Sequence, residues 1–240
     1  MITRVVYEIL CWLSILGISM SYELYGAVGL FYFTIFQLLV VTLDFYISAT
    51  ASANIERAEK NGFRRHTVYT IMLFNLVGTN ILVAWIVSTF CGPMYTGSIA
   101  INRYTPFILV FNLALSELCF TVAHTALHRT EYGAKVHHLH HCCKPSSWSS
   151  NLIIHPVDMA VEFSGPVLSL LFTHQYLFNN PSALFVSLTT LQIWYAVDHS
   201  EYLKLAHYRH HAYINNYLHI YLKSRTVKPG RDCVKPIVYN

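Results

Sequence analysis

With 240 residues, 54% of them hydrophobic and only 12% charged, the chain reads as a single domain whose main solvent is lipid. The net charge of +4 is modest, and the basic residues form no run with interleaved aromatics, so a nucleic-acid groove is excluded as an expectation. The cysteines (Cys11, Cys91, Cys119, Cys142, Cys143 and Cys233) lack the spacing of a secreted disulfide framework.

Arg4 stands ahead of an apolar stretch, but no small-residue cleavage site precedes Tyr22, so a retained first span is expected over a signal peptide. Stretches approaching or reaching the ~20 residues a bilayer requires run from Val5 to Met20, Ala27 to Ser48, Val68 to Phe90 and Phe107 to Ala123. Asp44, at a span end, is read as interfacial. Two further apolar stretches, Leu152 to Phe172 and Ala183 to Val197, are broken by Pro156, Gly165, Pro166 and Pro181 and carry Asp158 and Glu162. These predict a re-entrant or interfacial hairpin, or helices packed against protein. The expected fold is therefore all-α, a multi-spanning helical bundle of about four spans plus that hairpin.

Orientation comes from the basic residues. Arg57, Lys60, Arg64 and Arg65 crowd the loop between the second and third spans, whereas the next loop carries only Arg103. The first of these loops is then cytosolic, the fourth span returns to the cytosol at His124, and every histidine cluster follows on that side. Residues 1–104 are mainly membrane anchor, and residues 105–217 carry the chemistry.

That chemistry is histidine. His124 and His128 stand four apart at the end of a segment free of Pro and Gly, so a helix places both imidazoles on one face. His137, His140 and His141 follow the spacing i, i+3, i+4, and His207, His210 and His211 repeat it. His199 stands beside Asp198. Three clusters obeying one geometric rule point to a metal site. Imidazole suits zinc, iron, copper and nickel, and eight or more histidines are too many for one ion, so two metals sharing a cytosolic cleft are expected.

The order and spacing of His124-Thr-Ala-Leu-His128, His137-His-Leu-His140-His141, His155-Pro-Val-Asp158, His199-Ser-Glu-Tyr202 and His207-Tyr-Arg-His210-His211 with Asn216 resemble the fatty acid hydroxylase superfamily. These are membrane di-iron enzymes that include sterol desaturases, sterol methyl oxidases, and cholesterol and sphingoid-base hydroxylases. The chain departs from the family pattern at Thr125, where Arg is usual, at Glu201, where Gly is usual, and at Tyr195, where some members have His. The resemblance implies two iron ions, with zinc as a possible substitute. It implies dioxygen and a sterol, fatty acyl or sphingoid substrate. Electrons would come from a separate b-type cytochrome and a nicotinamide-dependent reductase, and the setting would be the endoplasmic reticulum membrane.

Four further residues are candidates near the metals. His155 precedes Pro156 and either caps a helix or joins the site. Asp158 follows in the first turn of that helix. Glu117 lies two turns before His124 on the same face, where it could hold a ligand imidazole or make an unrelated interhelical bond. Asp198 could orient a neighbouring ligand. His66, His138, His174 and His219 are expected to be solvated or interfacial, and Cys142 and Cys143 to be reduced thiols. A non-enzymatic histidine-rich protein that binds or transports a metal is the alternative function. A family member that has lost catalysis is a third.

Overall fold

In the computed structural model, residues 2–91 and 103–200 are described, together with Leu203, His207, His210 and His211. Glu201, Tyr202, Asn216 and His219 lie outside the described residues. Seven α-helices follow in order: α1 Ile2–Ile47, α2 Ala49–Lys60, α3 Arg65–Ile86, α4 Thr105–Arg129, α5 Glu131–His141, α6 Pro156–Phe172 and α7 Pro181–Asp198. No strand occurs among the described residues.

Helix α1 is two helices joined at Gly26, whose backbone (φ 59, ψ −144) only glycine adopts readily. The chain folds back there, and Gln37 Nε2 donates to the Ser14 carbonyl, 3.3 Å away and 23 residues earlier. Among the described residues, three helical segments are long and apolar enough to cross a membrane: Leu24–Ile47, Arg65–Cys91 and Thr105–Arg129. The expected first span, Val5 to Met20, falls in the first half of α1, and most of its side chains lie outside the described residues. The last span runs further than hydropathy indicated, so His124 and His128 ride on its final turns.

The proline-bounded stretches form a hairpin of α6 and α7, turned by a π-helical segment Thr173–Phe178 and by Asn179 in the left-handed region (φ 41). Both pack against protein, α6 mainly on α4 and α7 on α1 and α4. Gly165 permits the α6–α4 approach, since a Cβ there would stand 3.1 Å from that of Cys119. Polar side chains fasten the same helices: Asn112 Nδ2 donates to Ser187 Oγ at 2.9 Å, and Thr173 Oγ1 donates to Asn112 Oδ1 at 2.7 Å. In an apolar setting such bonds select one packing register.

Two apolar clusters hold the bundle. One, with Leu184, Leu188, Leu191, Phe120 and Tyr195, fills the space between α3, α4 and the hairpin. The other, with Val68, Met72, Leu139, Trp148 and Ile153, sits beneath α2 and the 3₁₀ turn Trp148–Leu152. That turn is tied from two sides. Asn75 Nδ2 donates to the carbonyls of Leu152 and Ile154, at 3.0 and 2.7 Å, and Asp44 accepts from Ser149 N at 3.2 Å. Asp44 is thus buried and structural, not interfacial as its place at a span end suggested.

Candidate metal centre

Helix α4 delivers His124 and His128 one turn apart. Helix α5, started by Thr130, whose hydroxyl accepts from Gly133 N, delivers His137, His140 and His141. His199 follows the last residue of α7, and the chain returns with His207, His210 and His211. Except for half-buried His128, all nine are buried, and they sort into two groups that could hold a metal ion. One is His124, His128, His137, His141 and His210; the other is His140, His199, His207 and His211. Within each group the candidate ligand atoms all lie within 4.8 Å of one another.

The sorting follows from helical geometry. Successive residues turn ~100°, so i and i+4 are ~40° apart, while i+3 falls on the other side of i. In α5, His137 and His141 join the first group and His140 the second. The last cluster does the reverse, with His207 and His211 in the second group and His210 in the first. Each i, i+3, i+4 box therefore serves both groups.

The Nε2 atoms meet at short range. In the five-membered group His124–His210 and His128–His210 are both 3.1 Å apart, His128–His124 3.2 Å, His141–His128 3.1 Å and His141–His137 2.8 Å. In the other, His211 lies 3.0 Å from both His140 and His207, and His140 is 3.4 Å from His199. Two nitrogens bound ~2.1 Å from one ion, at right or tetrahedral angles, are separated by about 3.0–3.4 Å. The spacing matches a shared ion.

Proton placement agrees. His199 Nδ1–H donates to the Tyr195 carbonyl at 2.8 Å, and His124 Nδ1 and His137 Nδ1 each share a proton with a carboxyl oxygen, Glu162 Oε1 at 2.5 Å and Asp158 Oδ2 at 2.7 Å. With Nδ1 protonated, each neutral ring presents a lone pair at Nε2. Lone pairs converging away from water repel unless a cation lies between them. Burial, reinforced by the neighbouring imidazoles, holds His137, His140, His141 and His211 well below the usual imidazole range, which keeps them neutral and ready to bind. Asp158 and Glu162 are themselves almost without exposed surface, and they form a third convergence with His137. Burial pushes the Asp158 carboxyl up to about 8 and raises Glu162 as well, so both ionise readily only beside compensating positive charge.

The remaining candidates divide. Asp158 backs His137 as described. Asp198 accepts the backbone N–H of His207 at 3.4 Å, so it positions a ligand through the main chain. His155 joins neither group: its Nδ1 accepts from Val157 N at 3.2 Å, making it the N-cap of α6. Glu117 does not reach the imidazoles; it bonds to Trp194 on α7. The carboxylate behind His124 is Glu162, to which the sequence reading gave no role. Its signal was available, since Asp158 and Glu162 are four apart in an apolar segment and so share a helical face.

Cys142 and Cys143 stay outside both groups. Burial pushes the Cys142 thiol up to about 12 and the Cys143 thiol higher, so neither offers the thiolate a metal requires. His66 is exposed as expected, and His138 is half-buried with its ring 6.0 Å from that of Phe63. His174, expected to be solvated or interfacial, is not solvated: it is buried beside Phe90, where the π-helical turn folds it inward.

No protein-family model, no curated protein and no solved structure matches this chain.

Proposed function

We propose that this protein is a membrane di-iron oxygenase acting on a lipid. The observation that carries the reading is the division of nine histidines into groups of five and four, with nitrogen spacings that fit one ion each and carboxylates behind the first. Two irons would be held by His124, His128, His137, His141 and His210 and by His140, His199, His207 and His211. Bound there, iron would pass the supplied electrons to dioxygen and so make it able to oxidise an unactivated C–H bond; the protein supplies orientation and a dry site.

The chain's own residues divide the remaining work. Glu162, Asp158 and the Tyr195 carbonyl fix the rings of His124, His137 and His199, so ligand geometry is set before any metal arrives. Phe120 lies against His124 and 5.9 Å from His207, screening the imidazoles from water. A span that ends in the ligands His124 and His128 brings a bilayer-dissolved substrate and the metals to one depth. This favours a sterol, fatty acyl or sphingoid lipid, either hydroxylated, desaturated or oxidised at a methyl group. A separate b-type cytochrome and a nicotinamide-dependent reductase would deliver electrons. The Arg57, Lys60, Arg64 and Arg65 loop supports four spans with the metals on the cytosolic side, in the endoplasmic reticulum.

The second reading is a non-enzymatic metal-binding or transport protein. It draws on the four-imidazole group, whose number of ligands equals that of a closed zinc site. Purification of the full chain in detergent, metal analysis and lipid profiling with and without oxygen decide between them. Two irons per chain and an oxygen-dependent lipid product are expected. A single zinc with no such product would overturn the oxygenase.

A further inference from the structure

Away from the imidazoles, four carboxamides meet. Gln37 on α1, Asn80 on α3, Asn151 on the 3₁₀ turn and Gln192 on α7 line a half-open cleft of about 60 Å³, with Met159 and Phe163 of α6 on its wall. None of its lining residues is ionisable. Gln37 and Asn80 belong to segments apolar enough to cross a membrane, where a carboxamide is costly unless it is bonded.

The bonds these amides make use their N–H groups. Asn80 Nδ2 donates to Thr34 Oγ1 at 3.1 Å and to Gln37 Oε1 at 3.0 Å, and Gln192 Nε2 donates to the Leu188 carbonyl at 3.4 Å. Among the described residues nothing donates to the oxygens of Asn80 and Gln192, and the Asn151 amide is uncommitted. The cleft therefore presents the free oxygens of Asn80 and Gln192 and both ends of the Asn151 amide, and no cation. Acceptors without a cation repel a carboxylate or phosphate and favour a donor. The volume admits one or two small polar groups, which excludes a sugar or a phosphocholine.

A chain of three ring contacts links the cleft to the candidate metal centre. Phe163 on its wall lies 5.4 Å from Tyr195, Tyr195 lies 5.0 Å from Phe120, and Phe120 stacks on His124 at 5.4 Å. On its other side Met159 and Phe163 directly follow Asp158 and Glu162, which hold the rings of His137 and His124.

We propose that this cleft binds the small, uncharged, hydrogen-donating head of a lipid, a hydroxyl or an amide N–H, with Asn80, Asn151 and Gln192 as the groups that recognise it. It rests on the lipid-oxygenase reading for its substrate, while binding itself requires no turnover. Asn151 and Gln192 select the head; acids and esters of the same chain bind more weakly.

The test is equilibrium binding to the full chain in detergent. A tritiated long-chain alcohol is competed with the primary amide, free fatty acid and methyl ester of equal chain length. Alcohol and amide should compete about tenfold better than acid and ester, a difference of about 1.4 kcal/mol. An Asn151→Leu/Gln192→Leu double variant that keeps its helical content and metal should lose that preference. Equal competition by all four ligands on the unaltered protein overturns the proposal, whatever the variants do. So does a preference that persists in the folded double variant. Selective binding without any oxygen-dependent product would support the cleft and sink the oxygenase; product without selectivity would do the reverse.

Discussion

The two histidine groups lie side by side, yet different chemistry stands behind them. In the five-membered group two rings pair with buried carboxyl groups, His124 with Glu162 and His137 with Asp158. In the four-membered group His199 donates to a backbone carbonyl, and the carboxylate of Asp198 accepts the backbone N–H of His207. A carboxylate behind an imidazole raises its basicity and offsets the charge of a bound cation; a peptide carbonyl does so less. The two sites should differ in affinity, the first being the tighter.

The largest expected effect breaks the stronger site outright. His137→Ala removes a nitrogen from the five-membered group and leaves Asp158 buried without its partner. Oxygen-dependent lipid turnover should fall by more than ~100-fold, beyond what loss of an outer partner costs, and one metal per chain should disappear from elemental analysis. Retention of both metals would remove His137 from the site. Glu162→Gln comes next. It keeps the shape but not the charge, so the affinity of the five-membered group should weaken by about 10–100-fold in a chelator competition, with the other group unchanged. Asp198→Asn should cost the four-membered group less than about tenfold, because the amide oxygen can still accept from His207 N. The opposite order would show that the carboxylates do not set the difference.

Acidity tests the groups together. Burial depresses His137, His140, His141 and His211, so between their lowered values and the ordinary imidazole value near 6.5 the unfolded chain binds more protons than the folded one. Stability of the metal-free protein should then be full above about pH 6.5 and decline as pH falls below it. Thermal melting from pH 7.5 to 5.5 reads this as a melting temperature that falls toward the acid end. A flat profile would mean that these rings are not neutral and buried in the folded chain.

Hydropathy was enough to predict an all-helical chain with membrane-crossing helices and a hairpin, because lipid solvation acts segment by segment. The histidine spacings likewise announced three shared faces. What they did not announce was the exchange of His140 and His210 between groups, which depends on how α5 and the last cluster cross. Glu117 was attractive because it shares a helix with His124, seven residues away. Glu162, on another helix, occupies the space behind the ring, and that follows from α6 packing on α4 through Gly165. Two successive apolar stretches already required the chain to turn between them; what hydropathy did not record is that the single residue Gly26 makes the turn.

The smallest expected effect tests where the site stops. His155 belongs to the same run of histidines, but its imidazole accepts from Val157 N and opens α6, the helix that carries Asp158 and Glu162. If capping is its whole duty, His155→Ala costs ~1 kcal/mol, as removal of an N-cap does, and His155→Asn restores most of it because Asn caps as well. Metal content should stay the same in both variants, since neither touches a converging nitrogen. Loss of metal in His155→Ala that Asn fails to rescue would bring His155 into the ligand set. Loss that Asn does rescue would mean that the start of α6 must be fixed for Asp158 to hold His137.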